Sequence, residues 1–303
     1  MKNVLIAGAG GLVGKELTKR LKEKGYRVSH LSHSKPTDAS LNRFHWNPES
    51  GFMEQNCLLD IDHVINLAGV GVYDSSWSES YKAQILSSRI NATRLLREEV
   101  EKSTRVKTFV NASAIGFYGN NTGEVWVDEG SPKGADFLAE VVHAWENEFF
   151  KSELKSLRRV VLRLGIVLSN QGGALPQLMK PIQYYVGAPL ASGKQYMSWI
   201  HIDDVCSQFI WALEQESAQG VYNAVAPNPA TNEEITKALA QHLNRKLLLP
   251  NIPAFALKLL LGAEKAETLI GGNRVKCNKA IAEGFEFKYK TLNEALHSFF
   301  RTD

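Results

Sequence analysis

An α/β fold, a doubly wound parallel sheet followed by a small C-terminal α+β domain, is predicted by three features of this 303-residue chain. Short β-branched runs alternate with helical patterns through the first half, as in sheets built from strand-helix-strand units. Several of those runs are apolar at consecutive positions, the pattern of strands covered on both faces. Glycines cluster where the first strand meets the first helix.

In order, the strand signals are Val4–Ala7, Val28–Leu31, Val64–Leu67, Thr108–Ala112 and Val160–Leu164. Helical patterns fall between them, from about Leu12 to Lys24, around Ser80–Lys102 and around Ala135–Phe150. From Ser169 the texture turns to Gly and Pro punctuation (Gly172-Gly173, Pro176, Pro181, Gly187, Pro189), which predicts loops. Ser198–Ile202 and the pattern Val205–Leu213 predict a brief return to the sheet, with Asp203 or Asp204 as the N-cap of the helix. Thr231-Asn232-Glu233-Glu234 spells a capping box that starts a later helix. The predicted boundaries are residues 1–168 with a return segment near 197–225, and a substrate domain over 169–303.

Composition narrows the function. Lys and Arg number 35 against 32 acidic residues, a formal +3 with the cations scattered, so no nucleic-acid footprint is expected. The partner expected is an unknown small molecule, with a protein partner or homodimer left open. Three cysteines, widely spaced and without C-x-x-C, fit a reducing cytoplasm. Ile252–Ala263 carries Lys258 and is far shorter than the ~20 residues that span a bilayer, so no membrane anchor is expected. The eight histidines show neither H-x-H nor H-E-x-x-H, and no metal site is expected. G-x-S-x-G is absent as well.

The glycines carry the chemistry. G-x-G-x-x-G fails because Val13 takes its third slot, but Gly8-x-x-Gly11-x-x-Gly14 fits, between a strand and an amphipathic helix. A diphosphate there takes hydrogen bonds from backbone N–H groups at the positive helix end, provided that no side chain blocks its approach. Gly8, Gly11, Leu12, Val13 and Gly14 are therefore assigned to a dinucleotide in a Rossmann arrangement. A turn that merely packs helix on sheet is the alternative. The second strand ends at Ser32, where NAD enzymes place a carboxylate for the ribose hydroxyls. Ser32, His33, Ser34 and Lys35 instead offer donors and positive charge suited to a 2′-phosphate, which predicts NADP(H). An exposed polar loop without a ligand is the competing reading.

Longer motifs make a resemblance specific. Asn66-Leu67-Ala68-Gly69, Ser113-Ala114-Ile115-Gly116-Phe117-Tyr118-Gly119 and Trp199-Ile200-His201-Ile202-Asp203-Asp204 resemble the extended short-chain dehydrogenase/reductase superfamily of sugar-nucleotide epimerases and dehydratases. More narrowly, Lys82 with Ser88-Arg89-Ile90, Asp136-Phe137-Leu138-Ala139, Trp145-Glu146, Arg163-x-Gly165-Ile166-Val167-Leu168 and Ala226-Pro227-Asn228-Pro229 resemble its atypical "epimerase family" proteins, across essentially the whole chain. The resemblance implies cofactor contacts at Ser32 and His33, at Leu67, Ala68 and Gly69, at Gln84 and Arg89, and at Ala112 and Val167. His33 stands where that family commonly has Arg, and Arg89 is the compensating cation.

The superfamily's chemistry uses a Tyr and a Lys four residues apart on one helix, the phenol exchanging a proton and the ammonium lowering its pKa. None of the nine tyrosines here is followed by Lys four positions on. Aligned from Glu146, the two slots hold Leu138 and Val142, as the resemblance implies for this atypical group. Ser113 and Tyr118 are the remaining candidates for proton transfer, with a packed aromatic the competing state for Tyr118. Trp199 and His201 are candidates to line a substrate pocket. Two functions are consistent with these residues: an NADP(H)-dependent oxidoreductase or epimerase acting on a small polar molecule, and a non-catalytic NADP(H) sensor that binds a protein.

Overall fold

Val4–Ala7 are buried in β1 (Asn3–Ala7), the central strand of the fold. The computed structural model describes residues 2–35, 42–152 and 154–300. After β1 come α1 (Leu12–Glu23), β2 (Arg27–Ser32), β3 (Arg43–Asn47), β4 (Phe52–Met53), β5 (His63–Asn66), α2 (Glu79–Lys102) and β6 (Thr108–Ala114). Next are β7 (Trp126–Val127), α3 (Phe137–Phe150), β8 (Arg158–Leu164), β9 (Ile166–Leu168), α4 (Ala174–Gln183), β10 (Tyr196–Met197), β11 (Trp199–His201), α5 (Ile202–Glu214) and β12 (Gly220–Ala224). The chain closes with β13 (Ala230–Thr231), α6 (Asn232–His242), α7 (Ala254–Leu261), α8 (Ala263–Ile270), β14 (Arg274–Val275), α9 (Asn278–Ala282) and α10 (Leu292–Phe300).

Eight strands form one sheet in the order β12-β8-β6-β5-β1-β2-β3-β4. β1 pairs in parallel with both β2 and β5, β2 with β3 and β5 with β6, while β4 turns back antiparallel on β3. The strand order reverses between β1 and β5, the switch point where doubly wound sheets open a crevice at their carboxyl ends. All of β5 and nearly all of β6 are buried, the polar Asn66 and Asn111 together with their apolar neighbours, as strands covered on both faces are.

Contacts divide the chain into two compact units. The first comprises Met1–Ser113, Val141–Leu162 and Cys206–Tyr222; the second comprises Ala114–Glu140, Arg163–Val205 and Asn223–Asp303. The core of the first gathers Leu5, Val64, Leu96, Phe109, Phe149 and Val161. That of the second gathers Leu168, Leu175, Trp199, Ile235, Leu239 and Leu296. Burying such residues contributes roughly 1.5–3 kcal/mol each.

Three expectations are corrected. The punctuated stretch after Ser169 contains helix α4, because Gly173 starts it at φ 73° and Pro176 falls in the first turn, where no N–H is required. β11 does not rejoin the large sheet but pairs in parallel with β9, whereas β12 takes the sheet's edge. The start of α5 is capped by neither Asp203 nor Asp204, since both lie in its first turn and the Asp203 N–H donates to His201 Nδ1 at 2.9 Å. Asp204 instead accepts from the Lys288 and Tyr289 N–H groups. The capping box at Thr231 and Glu234 forms as expected. Among the described residues no helix is long and apolar enough to cross a membrane.

One core residue is expected to make the fold acid-sensitive. His63 on β5 is 4% exposed, and among the described residues neither ring nitrogen has a hydrogen-bond partner. Burial holds its pKa down at about 4, from an ordinary 6.5. Between those values the unfolded chain binds the proton that the native state refuses, so stability falls as pH drops from about 6.5 to about 4. The loss expected is on the order of 2–3 kcal/mol. Urea midpoints at neutral and acidic pH should show it, and His63→Leu should flatten that part of the profile.

Candidate functional site

At the switch point the chain leaves β1 through Gly8, whose φ of +80° is one that L side chains rarely adopt. A Cβ there would lie 2.6 Å from the Leu67 carbonyl carbon and 2.8 Å from the Ala68 nitrogen. The turns after β1 and β5 therefore touch through backbone alone. Gly14 is equally confined, with a Cβ position 2.5 Å from the Gly8 carbonyl oxygen. Gly11 differs: its N–H donates to that oxygen at 3.1 Å, and its Cβ position would meet only the same atom, at 3.5 Å. Gly8 and Gly14 serve packing, and Gly11 leaves open space at the helix start. Among the described residues no side chain caps α1, and its first turn has no acidic residue. Leu12, Val13 and Gly14 are thus the first residues of a helix whose positive end is free to receive an anion.

The turn after β5 is held by a polar network that sequence reasoning missed. Asn66, fully buried, donates to Asn111 Oδ1 at 2.7 Å and to Thr93 Oγ1 at 3.0 Å, and its Oδ1 accepts the Ala68 N–H. Trp145 Nε1 donates to the same Thr93 hydroxyl. The motif spelled Asn66, but nothing in the sequence paired it with residues 27 and 45 positions away. Beside this turn lies Arg89, its guanidinium 5.3 Å from the Trp145 ring and its side chain 3.2 Å from where a Gly69 Cβ would stand. Arg89 Nη1 donates to the Ile85 carbonyl, within its own helix. No carboxylate pairs with it among the described residues, and burial lowers its pKa to about 10. A desolvated cation without a counter-charge is costly to keep, and an anionic ligand would relieve that cost. Gln84, five residues earlier on α2, is exposed.

Ser32 ends β2, and its Oγ accepts the Ser34 N–H. His33 and Ser34 are exposed, the His33 ring 5.9 Å from that of Trp46. Ala112 is buried on β6. Next to it Ser113 is 3% exposed and donates to Glu146 Oε1 at 2.6 Å, so its hydroxyl is engaged with α3.

In the second unit the other proton-transfer candidate is also enclosed. Tyr118 is 5% exposed, donates to Asn223 Oδ1 at 2.7 Å and accepts from Arg163 Nη1 at 3.0 Å. Arg163 is itself buried, 3.4 Å from the centre of the Phe117 ring. A cation does stand beside the phenol, though not the lysine that sequence spacing sought. Burial still prevails and pushes the Tyr118 hydroxyl up to about 12. Val167 is half-buried on β9, opposite Ile200. Trp199 and His201 do not line a pocket: both are buried, and His201 stacks between Tyr289 and Phe299 with its Nε2 at Ser298 Oγ.

Comparison with known proteins gives this geometry its family. A model of the "NAD dependent epimerase/dehydratase family" matches residues 4–224. The chain belongs to that family. A "Domain of unknown function" matches residues 252–299 of this epimerase-family chain. It is 36% identical to an epimerase family protein of Mycobacterium leprae over 97% of its own length and 94% of the relative's. It is 37% identical to a chloroplastic epimerase family protein SDR39U1 homolog of Arabidopsis thaliana, over 97% of this chain and 86% of that one. Among solved structures, human epimerase family protein SDR39U1 with NADPH aligns at a TM-score of 0.90 and 30% identity, over 98% of this chain and 99% of that one.

The epimerase-family chain carries no Tyr and Lys at the α3 slots inferred from sequence. Leu138 is half-buried and Val142 buried there, and neither side chain transfers a proton.

Proposed function

We propose that this chain binds NADP(H) and acts as an oxidoreductase or epimerase on a small polar substrate. The observation that carries the proposal is the opening at Gly11, before an uncapped helix, together with Arg89, a cation without a carboxylate. The NADPH in the human relative supports the same cofactor here. Backbone N–H groups from Leu12 to Gly14 would hold the diphosphate, with Gly11 leaving room for it, and Gly8 lets the turn lie flat on Leu67 and Ala68. Ser32, His33 and Ser34 would receive the 2′-phosphate. Gly69 and Ala112 would pack along the dinucleotide, and Gln84 and Arg89 would reach it from α2.

When bound, the nicotinamide supplies hydride transfer. Tyr118 holds its proton tightly at neutral pH, anchored by Asn223 and Arg163, so it orders its surroundings and leaves proton supply to water or the substrate. Leu138 and Val142 favour one other reading, a non-catalytic NADP(H) sensor that binds a protein.

The experiment is a label transfer. The protein is loaded with NADPH deuterated at the transferring carbon and incubated with a metabolite extract, and the products are read by mass spectrometry. Deuterium is expected in a discrete metabolite. A bound cofactor that gives no label to any metabolite would overturn the reductase and leave a redox-neutral epimerase or the sensor.

A further inference from the structure

The second unit carries an apolar surface that the function above does not use. α7 turns Leu257 inward, 6% exposed, and leaves Phe255, Leu259 and Leu260 at 73, 87 and 80% exposed. Leu248 and Leu249, just before it, are exposed as well, as are Tyr184 to Val186 after α4. These segments are tied together. Ala191 N–H donates to the Ile252 carbonyl, Ile252 N–H to that of Pro189, and the Arg245 guanidinium lies 5.2 Å from the Tyr185 ring. Soluble proteins seldom leave so many large apolar side chains together in water without a use for them.

Charge identifies the occupant. No Asp or Glu occurs between Glu153 and Asp203, nor between Glu234 and Glu264. The two stretches that build the surface therefore contribute cations only. Lys258 is paired with Glu267 at 2.6 Å and Lys237 with Glu233 at 2.5 Å. Lys180, Lys194, Arg245 and Lys246 have no carboxylate partner among the described residues. A second copy of the chain would bring the same cations face to face, so self-association through this surface is disfavoured.

We propose that this face, α7 with residues 184–186 and 245–249, binds the surface of a bilayer containing anionic lipid. Side chains 73–87% exposed stand clear of their neighbours, which suits insertion among acyl chains and needs no shape-matched groove. Tyr184 and Tyr185 suit the headgroup level, where amphipathic rings collect. Arg245 and Lys246, which belong to the face, reach lipid phosphates while their stems stay with the apolar side chains, and Lys180 and Lys194 add to the positive charge of the same unit. One helix turn of leucines gives reversible surface attachment, distinct from a membrane span.

The test is co-sedimentation of the full chain with phosphatidylcholine vesicles, with and without phosphatidylglycerol. Binding is expected only with phosphatidylglycerol, weakened by salt. Two double variants, Leu259→Gln with Leu260→Gln and Arg245→Glu with Lys246→Glu, should each reduce it by at least about tenfold. All four positions are exposed, and melting at the wild-type temperature verifies that each variant folds. Failure to bind either vesicle, equal binding to both, or wild-type binding by either double variant would overturn the proposal. So would a dimer in sedimentation equilibrium that the leucine variant abolishes, or retention by an acidic protein and not by vesicles.

Discussion

Gly8→Ala is expected to cost about 3 kcal/mol of stability and, with it, NADPH binding. Two effects add. A φ of +80° costs a residue with Cβ about 1–2 kcal/mol. The new methyl would also stand 2.6 Å from the Leu67 carbonyl carbon and oxygen, and these backbone atoms cannot rotate away. Overpacking of this kind typically costs 1–3 kcal/mol. The expected result is a much lower urea midpoint, with the turn that carries Leu67 and Ala68 displaced. Gly10→Ala is the matched control, since nothing lies within 4 Å of its Cβ position, and its midpoint should stay at the wild-type value. Equal midpoints for Gly8→Ala and wild type would mean that the two turns are not packed backbone to backbone.

The glycine contacts show what a sequence can and cannot reveal. Gly8, Gly11 and Gly14 were legible because a strand, a turn and a helix read in succession leave few uses for that spacing. Their different roles were not: spacing cannot separate Gly14, wedged against the Gly8 carbonyl, from Gly11, open to a ligand. The central strands were legible from their continuous apolar runs. β3 and β4 were not, since Arg43–Asn47 is short, mixes polar with apolar residues and has only Trp46 buried. α4 hid behind Gly173, Pro176 and Pro181: the glycine caps the helix start and Pro176 sits in the first turn, while Pro181 lies inside the helix against the usual preference.

Site chemistry divides along the same line. Local features, such as the capping box at Thr231 and the polar end of β2, could be read from neighbours in sequence. The pairings that decide side-chain state are long-range. Ser113 meets Glu146 across 33 residues, and Tyr118 meets Arg163 and Asn223 across 45 and 105. A search for lysine four residues from tyrosine therefore could not find the arginine that holds Tyr118. His201 read as a candidate to line a substrate pocket, yet its ring nitrogen caps α5 and its faces are covered by aromatic rings.

Arg89 links the fold to the proposed cofactor most directly. It sits on α2 against the Gly69 backbone, over Trp145, with a hydrogen bond to the Ile85 carbonyl of its own helix. Replacing it with leucine removes no ion pair among the described residues, so folding should be retained. What it should remove is a charge-assisted hydrogen bond to the ligand, worth about 1.5–3 kcal/mol, or about 10- to 150-fold in affinity. The measurement is a calorimetric titration of NADPH, and of NADH, into the wild type and Arg89→Leu, with the melting temperature of each variant recorded beside it. The account predicts tight NADPH binding and weaker NADH binding by the wild type. It predicts a loss of NADPH affinity of at least about tenfold in Arg89→Leu, at an unchanged melting temperature. NADPH affinity within twofold of wild type in that variant, or equal wild-type affinities for NADPH and NADH, would contradict it.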